Sequence, residues 1–431
     1  MRLLTAGSPE AMNFLARLRE RARVPAADVE AVVSAILEDV RLRGDAALFE
    51  YTRKFDGIRL DGKTVRVPAA EIEAATASLE PAVHEALSLA VARIEAFHRR
   101  QHRESWFYEE EGVGLLGQLV RPLARVGLYV PGGSAAYPST VLMNAIPARV
   151  AGVEDLVICT PPGRDGRVSA SVLAAAQLLG IREIYRVGGA QAVAALAFGT
   201  ESIRPADKIV GPGNIYVATA KRMVFGVVGI EMVAGPSEVL IVADERAVAP
   251  WIAADLLAQA EHDPLASALL VTPSVPLAEA VRADVERQLA SLPRAGLAGE
   301  ALDHFGAAIL VPDLSAAVAL ANAVAPEHLE LMVADPWALL PQVRNAGAVF
   351  LGAHTPEVAG DYLAGPNHVL PTAGTARFSS PLAVEDFQKR CSLLWLHPGT
   401  LHRWQEPIAR LARLEGLEAH ARSVTIRTKQ P

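Results

Sequence analysis

Cysteine is almost absent from this sequence: its 431 residues include only Cys159 and Cys391. Two thiols cannot build the disulfide framework of a small secreted protein, and they cannot form a zinc site made of cysteines. Both of these classes are therefore excluded, and a metal site in this chain would have to use other ligands.

The sequence also lacks an excess of positive charge and any long hydrophobic run. Its formal net charge is −7 at pH 7, which gives no electrostatic reason to expect a nucleic acid or an anionic membrane as partner. The longest alanine-rich run, residues 190–198, is too short to span a membrane. Residues 1–8 contain no apolar segment typical of a signal peptide. We expect a cytoplasmic protein.

With 51% hydrophobic residues over 431 positions, the chain is too long for one compact core, so two or three domains are expected. Hydrophobic residues at helical spacing predict a helical N-terminal region, residues 1–120, that packs on the second of two α/β domains. Its helices are predicted over 25–42 and 69–98, with a shorter one from Gly44. Residues 58–67 could form a small hairpin.

Strands and helices alternate from residue 121 onward, which is typical of parallel βαβ units. Residues 121–236 are predicted as a first domain with strands over 126–130, 155–160, 183–187 and 208–210. Three of these strands run directly into turns that contain glycine, where phosphate groups can approach backbone N–H groups at helix starts. These turns indicate a nucleotide-binding domain, although the dinucleotide fingerprint G-x-G-x-x-G is absent.

The alternation continues in a second domain, residues 237–377, with strands over 239–243, 268–271, 308–311, 329–333 and 348–351. Residues 378–431 are predicted as a mostly helical C-terminal tail that ends in a strand-like segment, residues 423–427. The predicted fold class is therefore α/β, with two incomplete Rossmann-like parallel-sheet domains, a helical N-terminal arm and a small C-terminal helical tail.

A polar loop over residues 359–372 follows the last predicted strand. Its two glycines and two prolines disfavour both helix and strand. Asp361 and His368 in such a loop are candidate site residues, because loops held by a rigid scaffold carry a large share of ligands and catalytic groups. The alternative is an ordinary solvated loop.

Gln259 and His262 form a second candidate. Their spacing places both on one face at the end of a helix that Pro264 terminates. One amide oxygen and one imidazole nitrogen suit a borderline metal cation, and Asp361 with a late histidine such as His420 would complete a set of nitrogen and oxygen ligands. A solvated helix end is the alternative, and the metalloprotease motif H-E-x-x-H is absent.

Glu327 and His328 form the third candidate. A histidine titrates near neutrality and carries protons in both directions, while a neighbouring carboxylate can deprotonate water. Adjacent strand residues face opposite sides, so the two can share a cleft only if they lie on the turn before the strand, which Pro326 allows. An ordinary surface pair is the alternative.

Many short motifs in one order resemble the histidinol dehydrogenases. The motifs are Tyr129-Val-Pro-Gly-Gly133, Val210-Gly-Pro-Gly-Asn-Ile-Tyr-Val-Ala-Thr-Ala-Lys221, Ala234-Gly-Pro-Ser-Glu238, Gln259-Ala-Glu-His-Asp263, Pro326-Glu-His328, Gly360-Asp-Tyr362, Gly365-Pro-Asn-His-Val-Leu-Pro-Thr372 and Glu415-Gly-Leu-Glu-Ala-His420. The resemblance runs through most of residues 25–425.

The resemblance implies an NAD- and zinc-dependent enzyme that is a homodimer with shared active sites. The implied zinc ligands are Gln259, His262, Asp361 and His420, which also contact the substrate through the metal. The implied NAD-binding residues are Tyr129, Gln191 and Asn214, and the implied substrate contacts are Ser237, His328, His368 and Glu415. In this family the tail that carries Glu415 and His420 crosses to the partner subunit.

The implied reaction is the four-electron oxidation of L-histidinol through L-histidinaldehyde to L-histidine with two NAD, the last steps of histidine biosynthesis. Glu327 and His328 would be catalytic, His328 as the base of both oxidations and Glu327 as the group that activates water. Neither cysteine lies in a matched motif, so a thiohemiacetal mechanism is rejected. The alternatives are a zinc- and NAD-dependent dehydrogenase of another amino alcohol and a catalytically inactive scaffold member of the fold.

Overall fold

The computed structural model describes residues 1–21, 27–132 and 136–427. The start of the helix predicted from Pro25, and Gly133 of the first family motif, lie outside the described residues. The described chain forms two compact units. The first unit contains residues 1–101 and 124–387, and the second contains residues 102–123 and 388–431.

The strands and helices alternate along most of the chain. The strands are β1 Arg2–Thr5, β2 Trp106–Glu110, β3 Gly114–Pro122, β4 Arg125–Tyr129, β5 Asp155–Cys159, β6 Glu183–Tyr185, β7 Lys208–Val210, β8 Gly229–Ile230, β9 Glu238–Ala243, β10 Ser267–Thr272, β11 Gly306–Leu310, β12 His328–Met332, β13 Ala348–Leu351 and β14 Gln388–Leu396. The helices are α1 Pro9–Glu20, α2 Ala27–Arg43, α3 Asp45–Asp56, α4 Ala69–Ala77, α5 Pro81–His98, α6 Pro138–Val150, α7 Ala170–Leu178, α8 Gly189–Phe198, α9 Ile215–Val224, α10 Ala249–Ala260, α11 Val275–Leu289, α12 Ala295–Phe305, α13 Leu314–Val324, α14 Pro336–Leu339, α15 Glu357–Tyr362, α16 Pro398–Leu414 and α17 Glu418–Thr425.

The first sheet is parallel throughout, with strand order β6-β5-β4-β7-β8. Helix α8 packs against it, and eight of its side chains, from Ala190 to Ala197, are buried. A helix this apolar on every face belongs in the interior. The alternation of short strands and helices predicted for residues 121–236 is confirmed.

The second sheet is also parallel, with strand order β1-β11-β10-β9-β12-β13. Strands β9 and β10 are buried at every position, as expected for central strands covered by helices on both faces. Helix α12 was not predicted from the sequence, because its glycines and the proline before it obscured the helical spacing. These two sheets confirm the predicted α/β fold class.

The N-terminal region divides between the two sheets. Strand β1 pairs with β11, and Phe14 of α1 is buried in the core of the second sheet. Helix α2 packs instead in the core of the first sheet through Val33 and Val40. Residues 58–67 do not form the hairpin that was considered, and Arg66 makes only one isolated bridge, to Tyr185.

The second unit contains an antiparallel sheet with strand order β14-β3-β2 and two helices. The predicted tail, residues 378–431, therefore contains a strand of nine residues, β14, before it becomes helical. The strand-like segment predicted over 423–427 is wrong, because α17 extends to Thr425. Ala421 and Val424 are both buried there against α16, and this spacing of three residues is a helical one.

Candidate active site

The amino ends of two neighbouring strands of the second sheet form the centre of the candidate site. His328 is the first residue of β12, and the residue beside it on β9 is Val239. His328 Nδ1 lies 3.0 Å from the carbonyl oxygen of Glu238. A carbonyl oxygen only accepts, so Nδ1 donates and the neutral ring keeps its lone pair on Nε2.

His328 Nε2 is buried and has no hydrogen-bond partner among the described residues. The residue is 4% exposed and lines a cavity of about 470 Å³. The cavity extends between β13, the segment after α15 and a stretch before β14, and its lining includes Asp361, His368, Phe350, Phe97, Gln101 and Leu382. A histidine held at one nitrogen and open at the other is arranged to accept a proton from a molecule in this cavity.

Three carboxylates surround the ring of His328. Glu327 and Glu357 approach Nδ1 to 3.8 and 3.7 Å, and Asp361 Oδ1 lies 3.8 Å from Nε2. Burial alone lowers the pKa of His328, but Glu357 and Glu327 outweigh it and hold that pKa well above its ordinary value. Burial raises the pKa of Glu327 to about 7 and that of Glu357 to about 8. Glu327 thus titrates in the range suited to a general base near neutral pH.

His328 is the first residue of β12 and Glu327 directly precedes it, whereas the sequence required both residues to lie on the turn before the strand. The carboxylate of Glu327 accepts a hydrogen bond from the N–H of Glu238 at 2.9 Å. Both residues of the pair are less than a tenth exposed, so they do not form an ordinary surface pair. Ser237, one residue before β9, is half-buried at the same edge of the sheet, and its carbonyl oxygen accepts from the N–H of Ser267.

Gln259 occupies the last turn of α10 and is buried. The orientation of its amide that pairs donors with acceptors directs Nε2 to Glu357 Oε2 at 3.2 Å and to the Glu238 carbonyl at 3.3 Å. His328 Nδ1 is also 3.1 Å from this nitrogen, but Nδ1 cannot accept from it while it donates its own hydrogen to Glu238. His262 follows the end of this helix and is exposed, and its N–H donates to the Gln259 carbonyl at 3.3 Å. The two residues therefore lie at the end of α10, but His262 is beyond the helix, so their sharing of one helix face stays a prediction.

Asp361 belongs to a short helix, α15, rather than to an irregular loop. Residues 359–372 were predicted to be neither helix nor strand, and this is wrong for their first residues. The N–H of Glu357 at the helix start donates to Glu330 Oε1 at 2.9 Å, and this bond anchors the turn. Helix α15 contacts α10, so Asp361 lies on the element next to Gln259 and His262. Its charge acts on the rings of His262 and His368.

Gln259, His262 and Asp361 together present an amide oxygen, an imidazole and a carboxylate, which are donors that zinc accepts. No cluster of three or more His, Cys, Asp or Glu residues able to hold a metal occurs within the described parts of the chain. Glu415 and His420 belong to the second unit, where both are exposed at the start of α17 or just before it. The first unit by itself therefore supplies three of the four expected ligands.

The residues expected to bind NAD are placed at the carboxyl ends of strands in the first sheet. Tyr129 ends β4, and its hydroxyl accepts the N–H of Gly189 at 3.0 Å. Gln191 is buried in the first turns of α8, and its Oε1 has no partner among the described residues. An unpaired buried acceptor of this kind fits a ligand that carries N–H or O–H donors.

Asn214 caps the start of α9, where its Oδ1 accepts the N–H groups of Tyr216 and Val217. The side chain remains exposed, so a ligand can still reach it. Gly211, three residues earlier, has a φ of +117°, and a Cβ there would lie 2.0 Å from the carbonyl oxygen of Tyr129. The turn 211–214 thus lies directly against Tyr129 and requires glycine at this position.

Known proteins are similar to this chain over nearly its whole length. A family model described as histidinol dehydrogenase matches residues 19–428. The chain belongs to the histidinol dehydrogenase family. The histidinol dehydrogenase of Syntrophotalea carbinolica is 55% identical over 429 residues, which cover 100% of this chain and 99% of the relative. The histidinol dehydrogenase of Rhizobium meliloti is 59% identical over 401 residues, which cover 93% and 92%.

A crystal structure supports the same assignment. The histidinol dehydrogenase of Elizabethkingia anophelis is similar with a TM-score of 0.92 and 38% identity, covering 100% of this chain and 98% of that chain. The predicted family is confirmed, and the chain is an oxidoreductase of this family. None of the helices in the described part of the chain has both the length and the apolar character of a membrane span.

Several charged residues of this centre were not predicted from the sequence. Glu357 is 1% exposed and contacts His328, but nothing in its local sequence distinguishes it from a solvated glutamate. Glu330 and Asp255 are also buried carboxylates next to it, and burial raises the pKa of Asp255 to about 6. The one available signal was Glu330 itself, because a glutamate inside an apolar strand indicates a buried partner.

Proposed function

We propose that this enzyme oxidises L-histidinol through the aldehyde to L-histidine, with two NAD and one zinc ion per subunit. The observation that carries this proposal is the open, buried Nε2 of His328, held in place through Nδ1 and facing a cavity beside Asp361. The relatives named histidinol dehydrogenase support the choice of substrate.

In the first step, Nε2 of His328 accepts the proton of the substrate hydroxyl while a hydride leaves the carbon that bears this hydroxyl. NAD, when bound, accepts that hydride. The product is the aldehyde, with one proton released to the protein for each NADH. The aldehyde has no hydroxyl group from which a base could remove a proton, so water must add to it before a second oxidation.

Glu327 accepts the proton of that water. Its carboxylate is fixed by the N–H of Glu238, and burial raises its pKa to about 7, so it can take up and release a proton near neutrality. As the water adds, His328 returns its proton to the aldehyde oxygen, which gives the hydrate and restores the neutral ring. His328 then removes a hydroxyl proton from the hydrate as the second hydride leaves, and the resulting acid releases a proton to solvent to give the carboxylate of histidine.

Gln259, His262 and Asp361 would hold the zinc ion, with His420 of a second subunit as a fourth ligand. When bound, zinc supplies a Lewis acid that positions the amine and imidazole of the substrate, and it has no redox chemistry of its own. Its positive charge would oppose the carboxylates around His328 and favour the neutral ring that can accept a proton.

The enzyme is a homodimer with shared active sites in this proposal, because the family resemblance assigns the tail that carries Glu415 and His420 to the partner subunit. In the single chain the second unit exposes a set of large apolar side chains on its sheet and its long helix: Trp106, Phe107, Tyr108, Leu394, Trp395, Leu411 and Leu414. Exposed apolar surface of this kind favours burial in an interface. A second copy of the chain is the partner we propose, because His420 and Glu415 belong to the same unit.

The decisive experiment measures NADH formed per histidinol consumed, with and without a chelator. We expect two NADH per histidine, no accumulation of free aldehyde, and loss of activity in the chelator that zinc restores. One NADH per histidinol, with the aldehyde released, would refute the proposed reaction. Equal turnover of other amino alcohols would refute the substrate and leave the chemistry intact.

A further inference from the structure

Lys221 and Glu231 form an ion pair that no part of the proposed reaction uses. Lys221 Nζ and Glu231 Oε1 are 2.6 Å apart, and their side chains are only 3% and 1% exposed. We propose that this pair is a positioning device that holds the turn 211–214 in the shape that receives NAD. The inference rests on the proposed NAD-binding role of Tyr129, Gln191 and Asn214.

The ion pair forms hydrogen bonds with both backbone polar groups of Gly211. Lys221 Nζ donates to the carbonyl oxygen of Gly211 at 2.9 Å, and Glu231 Oε1 accepts from the N–H of Gly211 at 2.8 Å. Gly211 is the residue whose α-carbon lies against the carbonyl of Tyr129. The ion pair therefore fixes a point at which the turn lies against Tyr129.

The pair also joins three elements around the turn. Lys221 lies on α9, the helix that Asn214 caps, and Glu231 directly follows β8. If Gly211 shifted, the cap residue and Tyr129 would move relative to each other, because the turn connects the end of β7 to the start of α9. The two hydrogen bonds to Gly211 therefore keep Asn214 and Tyr129, both proposed to bind NAD, in fixed positions relative to each other.

A contribution to stability does not account for the pair. Removing two charges from water costs several kcal/mol per ion, and apolar residues of similar volume often stabilise a protein equally well. Moreover, Glu231 Oε2 is buried and has no hydrogen-bond partner among the described residues. An ion pair that is costly to bury and incompletely bonded is better explained by the geometry that it imposes on Gly211.

The amino end of the same sheet offers a matched control. Arg125 is also buried and paired, with Asp155 at 2.5 Å and with Glu183 at 2.5 Å. It lies at the start of β4, whereas Tyr129 lies at its end. Replacing Arg125 by methionine removes a buried cation from the same sheet without touching the turn.

The experiment compares NAD binding by calorimetry, steady-state kinetics and thermal melting in the whole enzyme and in Lys221→Met, Glu231→Gln and Arg125→Met. We expect Lys221→Met to raise the Kd and KM for NAD about tenfold or more, with kcat changed less than about twofold, because the lost positioning affects binding of the cofactor before chemistry. Glu231→Gln keeps an acceptor for the Gly211 N–H, so its effect should be smaller but in the same direction. Arg125→Met should lower the melting temperature and leave the Kd for NAD unchanged.

Two results would overturn the inference while leaving the proposed function intact. One is unchanged NAD binding in a folded Lys221→Met or Glu231→Gln enzyme. The other is a rise in the Kd for NAD in Arg125→Met equal to that in Lys221→Met. This would mean that the Lys221–Glu231 pair affects NAD binding only through the general stability of the sheet. If Lys221→Met does not fold, Glu231→Gln decides alone. Failure of the unaltered enzyme to bind NAD would instead refute the proposed function.

Discussion

Glu238 and Glu327 exchange a reciprocal pair of hydrogen bonds across neighbouring strands. The N–H of Glu238 donates to Glu327 Oε2 at 2.9 Å, and the N–H of Glu327 donates to Glu238 Oε2 at 3.3 Å. The carbonyl oxygen of Glu238 accepts from His328 as well. One residue of β9 therefore orients both proposed catalytic groups, although it lies 89 residues before Glu327 in the chain.

Arg21 neutralises Glu238, and its removal should damage both stability and activity. Their ion pair is 2.6 Å long, with side chains 2% and 5% exposed. Arg21→Met leaves a buried carboxylate unpaired, so the free energy of unfolding should fall by about 3–5 kcal/mol in urea titrations. The matched control is Arg17→Met on the exposed face of the same helix, which should change it by less than about 0.5 kcal/mol. Equal effects of the two changes would contradict a role for the pair.

Zinc content should depend on His262. His262→Asn should lose zinc and activity together while the melting curve stays cooperative, because ligands contributed by separate segments are not the core of either sheet. Metal analysis of the purified enzyme checks this, with His84→Asn, an exposed histidine of α5, as control. Full zinc content in His262→Asn would remove this residue from the ligand set.

The two proposed catalytic neighbours should separate kinetically. Glu327→Gln keeps the shape and much of the hydrogen bonding but cannot accept a proton from water. It should slow aldehyde oxidation by about a hundred- to ten-thousand-fold and alcohol oxidation far less, whereas His328→Asn should slow both.

Single-turnover measurements started from the alcohol and from the aldehyde distinguish these outcomes, because they avoid a slow release step that would hide the chemistry. Equal losses on both substrates in Glu327→Gln would mean that the two residues act as one unit.

Shared active sites predict complementation between inactive subunits. His328→Asn lacks the base, and His420→Asn lacks the tail ligand, so each homodimer should be inactive. In a mixed dimer, one active site combines the intact His328 of the His420→Asn subunit with the intact His420 of the His328→Asn subunit. Random pairing of equal amounts should restore about a quarter of the normal activity. Absence of restored activity in co-expressed, co-purified subunits would argue that each chain completes its own site.

The acid stability of the first sheet should depend on Arg125. Burial opposes ionisation of Glu183, but Arg125 outweighs it and lowers the pKa of Glu183, and likewise that of Asp155. A lowered folded-state pKa gives a stabilisation that is complete above the unfolded value, about 4.3 for glutamate, and is lost as the pH falls through the folded value.

Glu183→Gln should therefore lower the free energy of unfolding at pH 7 by roughly 1–3 kcal/mol. The difference from the unaltered enzyme should shrink below about pH 4. Urea titrations at a series of pH values measure both effects. A difference that stays constant down to pH 3 would contradict the role of the ionised carboxylate.

The local pattern of residues was sufficient for most elements of the two sheets. Alternating apolar runs and glycine turns predicted β4, β5, β6, β7 and the helices between them, because strand and helix periods are properties of short segments. The local sequence also placed Gln259 and His262 near one helix end and Glu327 and His328 next to a strand. The family followed from motifs that are contiguous in the sequence.

Contacts between distant segments decided the rest. Residues 388–396 became a strand because β3 offers an antiparallel partner, and residues 418–425 became a helix because Ala421 and Val424 pack on α16. Glu357 and Glu238 lie beside the proposed catalytic residues only because the second sheet brings β9, β12 and α15 together. A short sequence window contains no information on burial by distant segments, and burial is what turned these ordinary glutamates into functional neighbours of His328.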